Sequence, residues 1–187
     1  MRAADHFYDL ATRRGFALQP SGALPWLTGR GHLAVEADLP PEVRLALSQI
    51  FDVLDGDEAA LLAKPRRSIP SDFLLGAIQV EFDEGQHFTI QRLATLAFYP
   101  SSVALGFERL EYARLCLSTA RRAGRAFAHK AAGEFPGLHG RARQRAYFDA
   151  FRDLVAPILG NGPVLRVPAP DRDPVAALEK FEKMLSR

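Results

Sequence analysis

The chain has almost no cysteine: Cys116 is the one thiol in 187 residues. An internal disulfide is therefore excluded, and so is a zinc site built on several cysteines. Flanked by Leu115 and Leu117, Cys116 reads as a small buried hydrophobe. Long apolar runs are also missing. No stretch approaches the roughly 20 residues that a membrane-crossing helix needs. The opening residues, MRAADHFYDLATRRGF, carry Asp5 and Asp9 where a signal peptide would have its apolar centre. A cytoplasmic location without membrane attachment is the expectation. Several signatures of catalysis are absent too. There is no P-loop, no G-x-G-x-x-G following a strand, no H-E-x-x-H and no G-x-S-x-G. Asp52, Asp55 and Asp57 lack the spaced ligands and closing glutamate of a calcium loop.

What is present suits one folded domain over 1–187. Hydrophobic residues make up 48% of the chain, enough for a substantial core, and charged residues 25%. The charges are unevenly placed. Between Glu36 and Glu58 there are seven acids and one base, Arg44. Between Arg109 and Arg152 there are ten bases and three acids, and nine of those bases are arginine. Arginine offers phosphate a planar fork of donors. A basic face of this kind supplies the sequence-independent part of nucleic-acid binding.

The order of elements is mixed α and β with helices dominant. Phe7, Leu10 and Ala11 mark a short helix over 4–14, closed by Gly15. Residues 24–38 read as a hairpin or irregular β segment turning at Gly29–Gly31. Pro40 and Pro41 start a helix, a second short one follows near 57–63, and 64–71 form a basic, proline-flanked loop. DFLL, a Gly76–Ala77 turn and IQVEFD read as a β-hairpin. Thr89 caps a helix over 90–98. Helices near 106–131 and 141–155, a strand over 163–168 and a closing helix over 173–185 complete the chain.

The returning strand of that hairpin alternates cleanly. Ile78, Val80 and Phe82 point one way; Gln79, Glu81 and Asp83 point the other. Asp72 begins the preceding strand, so the turn brings it beside the end of the second. Three carboxylates can then converge. Like charges held together repel unless a cation joins them, and hard oxygen ligands suit Mg²⁺ or Mn²⁺. Gln86 and His87 follow at once, adding an amide and a titratable imidazole.

On these residues the sequence DFLLGAIQVEFDEGQH resembles the core of PD-(D/E)XK nucleases. It is most similar to the branch of very-short-patch-repair endonucleases and their restriction-endonuclease-like relatives. The likeness covers 72–96 well and 144–167 loosely, where an arginine-bearing helix precedes a last strand. It implies an α/β core, about 40–168, of a mixed sheet flanked by helices, with an N-terminal helix and hairpin and a C-terminal helix added. It implies Asp72, Glu81 and Asp83 as metal ligands and catalytic groups. Asp83 stands where most of the superfamily has lysine, and Glu84 replaces a usual glycine. His87 becomes the acid/base or water-positioning group, and Gln86 either a support behind the reacting groups or a contact to the scissile phosphate. Arg66, Arg67, Arg92, Gln144 and Arg145 are the candidate contacts to nucleic acid, DNA ahead of RNA. The implied activity is metal-dependent DNA cleavage in repair, restriction or defence. Two other readings fit the same residues: a nuclease fold that binds without cutting as a subunit of a larger complex, and an interaction domain whose long helices dock a protein partner or a second copy.

Overall fold

Four short strands form one sheet in the order β1-β2-β3-β4. They are β1 (Leu18–Pro20), β2 (Phe73–Leu75), β3 (Ile78–Glu84) and β4 (Leu165–Ala169). The computed structural model describes residues 2–20, 23–127, 130–159 and 161–186, and only the backbone over 122–127. β1 runs antiparallel to β2, β2 antiparallel to β3, and β3 parallel to β4. The β2–β3 connection is the expected two-residue turn: Leu75 pairs with Ile78, and Gly76 takes a φ of 60° that favours glycine. The parallel β3–β4 pair needs a long crossover, and three helices fill it. They are α4 (Ile90–Leu96), α5 (Arg109–Phe127) and α6 (Gly140–Val155).

Alternation then sorts the sheet into two faces. Val80 and Phe82 of β3, with Val167 and Ala169 of β4, enter one core with Phe73 and Leu18. Helices α1 (Ala3–Arg13) and α7 (Pro174–Leu185) cover this face with Phe7, Ala11, Ala177, Leu178 and Phe181. On the other face a larger core joins α2 (Pro41–Val53), α3 (Glu58–Leu62), α4, α5 and α6 around Leu47, Ile50, Phe51, Tyr147, Phe151 and Leu154. Between that core and the sheet lies a layer of buried charge, described below. β3 is buried on both faces, as a strand with a parallel partner and helices above and below must be.

Local chemistry sets the helix starts. Thr89 accepts a hydrogen bond from the Arg92 amide at 3.1 Å, and Asp173 accepts from the amides of Val175 and Ala176. Pro41 and Pro174 fill first-turn positions, where no N–H is needed. No helix among the described residues is long and apolar enough to cross a membrane.

Of the two readings of 24–38, the hairpin does not form; the segment is irregular, with one β-bridge at Thr28. Leu27 is fully buried in the helical core, and its carbonyl accepts from the Ile69 amide at 2.8 Å. Thr28 bridges Ser68, and the Gly29 amide donates to the Arg67 carbonyl. The segment therefore pairs with the 64–71 loop and not with itself. Residues 31–34 coil into a short 3-10 turn beneath Tyr147. Gly31 has a φ of 55°, and a Cβ there would collide with the Tyr147 hydroxyl. The long helix expected over 106–131 begins at Arg109 instead; Gly106 bridges Leu165 at the edge of the sheet. Its expected end takes in residues 128–129, including His129, which lie outside the described residues.

Phe7 is the centre of the α1–α7 core, with ring centroids 5.2 Å from Phe82, 5.6 Å from Phe181 and 5.9 Å from Phe73. Phe7→Ala is expected to lower unfolding free energy by about 3–5 kcal/mol. Leu110→Ala, at a residue 70% exposed on α5, should change it by less than about 0.5 kcal/mol. Urea unfolding measured side by side checks the contrast.

Candidate active site

Register explains the buried charge layer. Glu81 pairs with Arg166 and Asp83 with Pro168 across β3–β4, so Glu81, Asp83 and Arg166 share the face that α6 covers. Arg166 is fully buried. Its guanidinium donates to both Asp83 oxygens at 3.0 and 3.1 Å, to Asp153 at 2.7 Å and to the Asp149 carbonyl at 3.0 Å. Asp149 and Asp153 are four residues apart on α6, on one helix face. Asp153 also accepts from Arg92 at 2.5 Å and from the Tyr99 hydroxyl at 2.7 Å. The Tyr112 hydroxyl completes Asp83, donating at 2.7 Å.

Beside this layer a cleft of about 550 Å³ opens between α6 and the 64–71 loop. Asp72 and Glu81 lie on its sheet side, with Gln86 and His87 from the short turn after β3. Helix α6 supplies Arg141, Gln144, Arg145, Phe148, Asp149 and Arg152 to its wall; the loop supplies Lys64 and Arg67.

The titrating groups of the cleft are strongly perturbed. Burial pushes the Glu81 carboxyl up to about 7, against the opposing pull of Arg152. Glu81 Oε1 accepts no hydrogen bond and lies 3.5 Å from Arg152 Nε. Asp72 is also raised by removal from water, although the Phe82 amide donates to it at 2.9 Å and works the other way. Burial works against the His87 imidazolium, but Asp149 and Asp83 outweigh it and raise its pKa. Its Nδ1 is 2.8 Å from Asp149 Oδ2 and 3.3 Å from Asp83 Oδ1. Two carboxylate acceptors put the proton on Nδ1 and leave Nε2 for the cleft. Burial alone would raise Asp149, but His87 and Arg166 hold it well below the usual carboxylate range.

The structure brings together part of the expected site. Asp72, Glu81, Gln86, His87, Arg67, Gln144 and Arg145 all line the cleft. Gln144 spans Arg141 and Glu134 on its wall. Three residues fall elsewhere. Asp83 is fully buried and committed to Arg166 and Tyr112, so it does not complete a trio of cleft ligands. Arg92 is fully buried and bonded to Asp153, Tyr99 and Thr95, out of reach of any nucleic acid. Arg66 points away from the cleft and pairs with Glu36 at 2.6 Å. The basic stretch is likewise divided. Arg143 ties down the Asp55 carboxylate and the carbonyls of Leu54, Pro136 and Leu138, and Arg114 pairs with Glu111.

Asp153, Arg166 and the central part of Asp149 went unread in the sequence. Their signal is charge where burial leaves no room for it: two aspartates inside AYFDAFRDLV, and an arginine inside VLRV. Lone charges in such runs must find partners.

A divalent cation fits a reduced set of ligands. Among the described residues, no three His, Cys, Asp or Glu side chains stand ready as a group around a metal. Asp72 and Glu81 nonetheless offer hard oxygens to one cleft, and Glu81 Oε1 lacks any donor. Magnesium commonly takes one or two carboxylates and completes its shell with water and substrate phosphate.

The fold and cleft define a three-layer α/β protein with a charged, partly desolvated site between its sheet and one helix. The chain belongs to a family of unknown function, DUF7255, whose model matches residues 49–187. Every charged residue of the cleft falls inside that segment. No curated protein and no solved structure matches the chain.

Two outcomes follow from this geometry. Arg166→Met leaves Asp83, Asp149 and Asp153 short of their cation, and should cost about 3–5 kcal/mol of stability by chemical denaturation. The second concerns pH. A carboxyl raised from 4.5 to about 7 binds its proton more tightly when folded, so its contribution falls as pH rises through that window. His87, also raised, adds a loss in the same direction above 6.5. Unfolding titrations in chelator from pH 5 to 8 should show Glu81→Gln gaining on the wild type by roughly 3 kcal/mol. Parallel curves would show that Glu81 does not titrate in this range.

Proposed function

We propose that this protein is a metal-dependent nuclease hydrolysing DNA phosphodiester bonds. The supporting observation is the meeting of Asp72, just before β2, and Glu81, on β3, in one cleft with His87 and an arginine-bearing helix. That is the order of parts in the nuclease resemblance: an aspartate-led strand, an acid-bearing second strand, and an arginine helix leading to a last strand beside it.

Asp72 and Glu81 are the residues that would hold Mg²⁺ or Mn²⁺. Bound there, the ion would polarise a phosphoryl oxygen and acidify a water molecule. Arg67, Arg141 and Arg145 line the cleft where a phosphate backbone would approach. His87 handles the proton. Asp149 fixes its ring and raises its basicity, and in its protonated form Nε2 has a proton it can give to a leaving alkoxide.

Cleavage of labelled DNA in Mn²⁺, in Mg²⁺ and in chelator tests the reading. Cutting is expected only with metal. Glu81→Gln should lose at least about a hundredfold, and His87→Gln about ten- to a hundredfold. Glu81→Gln cutting like wild type would sink the assignment.

A second reading has its own support, the commitment of Asp83 to Arg166. With one acid of the motif locked in an ion pair, the cleft can bind nucleic acid without cutting it. That reading gives salt-sensitive binding and no products under any divalent ion.

A further inference from the structure

We propose that Arg152 is the phosphate grip of the cleft, its Nε–H donating to a phosphoryl oxygen of the substrate strand beside Glu81. The substrate's identity rests on the nuclease reading; the grip itself can be tested without it.

Arg152 reaches the cleft from the last turn of α6, and its side chain is only 8% exposed. Its terminal nitrogens are pinned by backbone: Nη1 donates to the Phe148 carbonyl at 3.4 Å and Nη2 to the Pro70 carbonyl at 3.2 Å. Nε is left over. It is buried and has no hydrogen-bond acceptor, and Glu81 Oε1, 3.5 Å away, has no donor. Unmet buried groups cost stability, and on the wall of a cleft a ligand or an ion can meet them. Here a donor and an acceptor lie within ion-pair range without forming a hydrogen bond, and Nη1 has a second, looser ion pair with Asp149 at 3.8 Å. Both are satisfied at once if an anionic oxygen meets Nε while a cation meets Oε1.

A phosphodiester suits this arrangement better than a single carboxylate. Its tetrahedral oxygens can serve the arginine and a cation in different directions. It also repeats along a strand, and Arg67 and Arg141 extend positive charge along the cleft beyond Arg152. Arginine stays charged at any working pH and holds its donors in a fixed plane. Two of those donors are already anchored, so Nε is aimed before the substrate arrives. On the strand, Asp83 takes the place where the resemblance has a lysine; Arg152 brings a cation to the same acids from the facing helix.

Binding of a labelled single-stranded oligothymidylate to the full chain, in chelator, is the test, with inorganic phosphate as competitor. Arg152→Met should weaken both ligands by about tenfold or more and lower the slope of log K against log salt by about one. Arg152→Lys keeps the charge but not the Nε–H; it should restore the slope and not the affinity. Arg44→Met, an exposed and remote charge loss, should alter neither. Melting temperatures are followed throughout, and if Arg152→Met fails to fold, Arg152→Lys decides. Wild-type affinity in either Arg152 variant overturns the proposal, and so does a wild-type protein that binds neither ligand. Cleavage in Mn²⁺ separates the two ideas. Loss of binding in the variants with no cleavage by wild type keeps the grip and removes the nuclease reading. Cleavage with unchanged KM and kcat in Arg152→Lys keeps the nuclease and removes the grip.

Discussion

One buried guanidinium organises this molecule. Arg166 sits on β4 with its side chain turned away from the apolar core of α1 and α7, toward α6. It joins Asp83 on the neighbouring strand to Asp149 and Asp153 on the helix. Those contacts set how α6 lies across the sheet, and the cleft is the gap left beside that seam. Desolvating so many charges is expensive, and apolar replacements of buried ion pairs are often as stable or better. The layer's value is therefore positional. A greasy interface tolerates sliding; a fork of donors matched to three carboxylates has one register.

The same layer sets the chemistry next to it. Counted together, Glu81, Asp83, Asp149 and Asp153 face Arg92, Arg152, Arg166 and His87. Balance is reached when Glu81 is ionised and His87 protonated, or when Glu81 holds the proton and His87 does not. The three arginines and three aspartates cancel, so the remaining charge is shared by the two groups that open on the cleft. Their neighbours reflect this. His87 is steadied by Asp149 and Asp83, which already belong to the Arg166 network, whereas Glu81 has a loose ion pair with Arg152 at 3.5 Å and no hydrogen bond on Oε1. The cleft thus holds one well-supported imidazole and one poorly supported carboxylate, a difference made by which acids Arg166 reaches.

Much of this was legible in the sequence, and the boundary has a physical cause. The β2–β3 hairpin, the cap at Thr89 and the proline start of α2 depend on neighbours a few residues away. So does the sharing of one β3 face by Glu81 and Asp83. What period-2 alternation cannot say is what covers that face. A strand with apolar residues on one side and Gln79, Glu81 and Asp83 on the other looks half-solvated, yet all three polar residues are buried. Asp83 meets Arg166 and Glu81 lies against Arg152, each more than sixty positions distant. The choice between hairpin and irregular β segment over 24–38 was hidden for the same reason: its glycines signal a turn, but its hydrogen bonds go to the 64–71 loop.

Arg92 and Arg152 show why charge alone misleads. Both lie on helices that face the sheet, and both read as surface cations. Arg92 has its charge fully used, by Asp153, by two hydroxyls and by the faces of Tyr99, Phe107 and Tyr112 at 5.1–6.0 Å. Its Nε also lacks a hydrogen-bond acceptor, but the side chain is fully buried and off the cleft wall, so its role ends with the fold. Arg152 is nearly as buried, but two of its nitrogens rest on carbonyls and its carboxylates stand off, Glu81 at 3.5 Å and Asp149 at 3.8 Å, neither hydrogen-bonded to it. Carboxylates at hydrogen-bond distance use up a guanidinium; carbonyls aim it and leave its ion pairs loose. On the proposed reading, that loosely paired cation would receive a phosphate while the unmet lone pair of Glu81 beside it receives a metal ion.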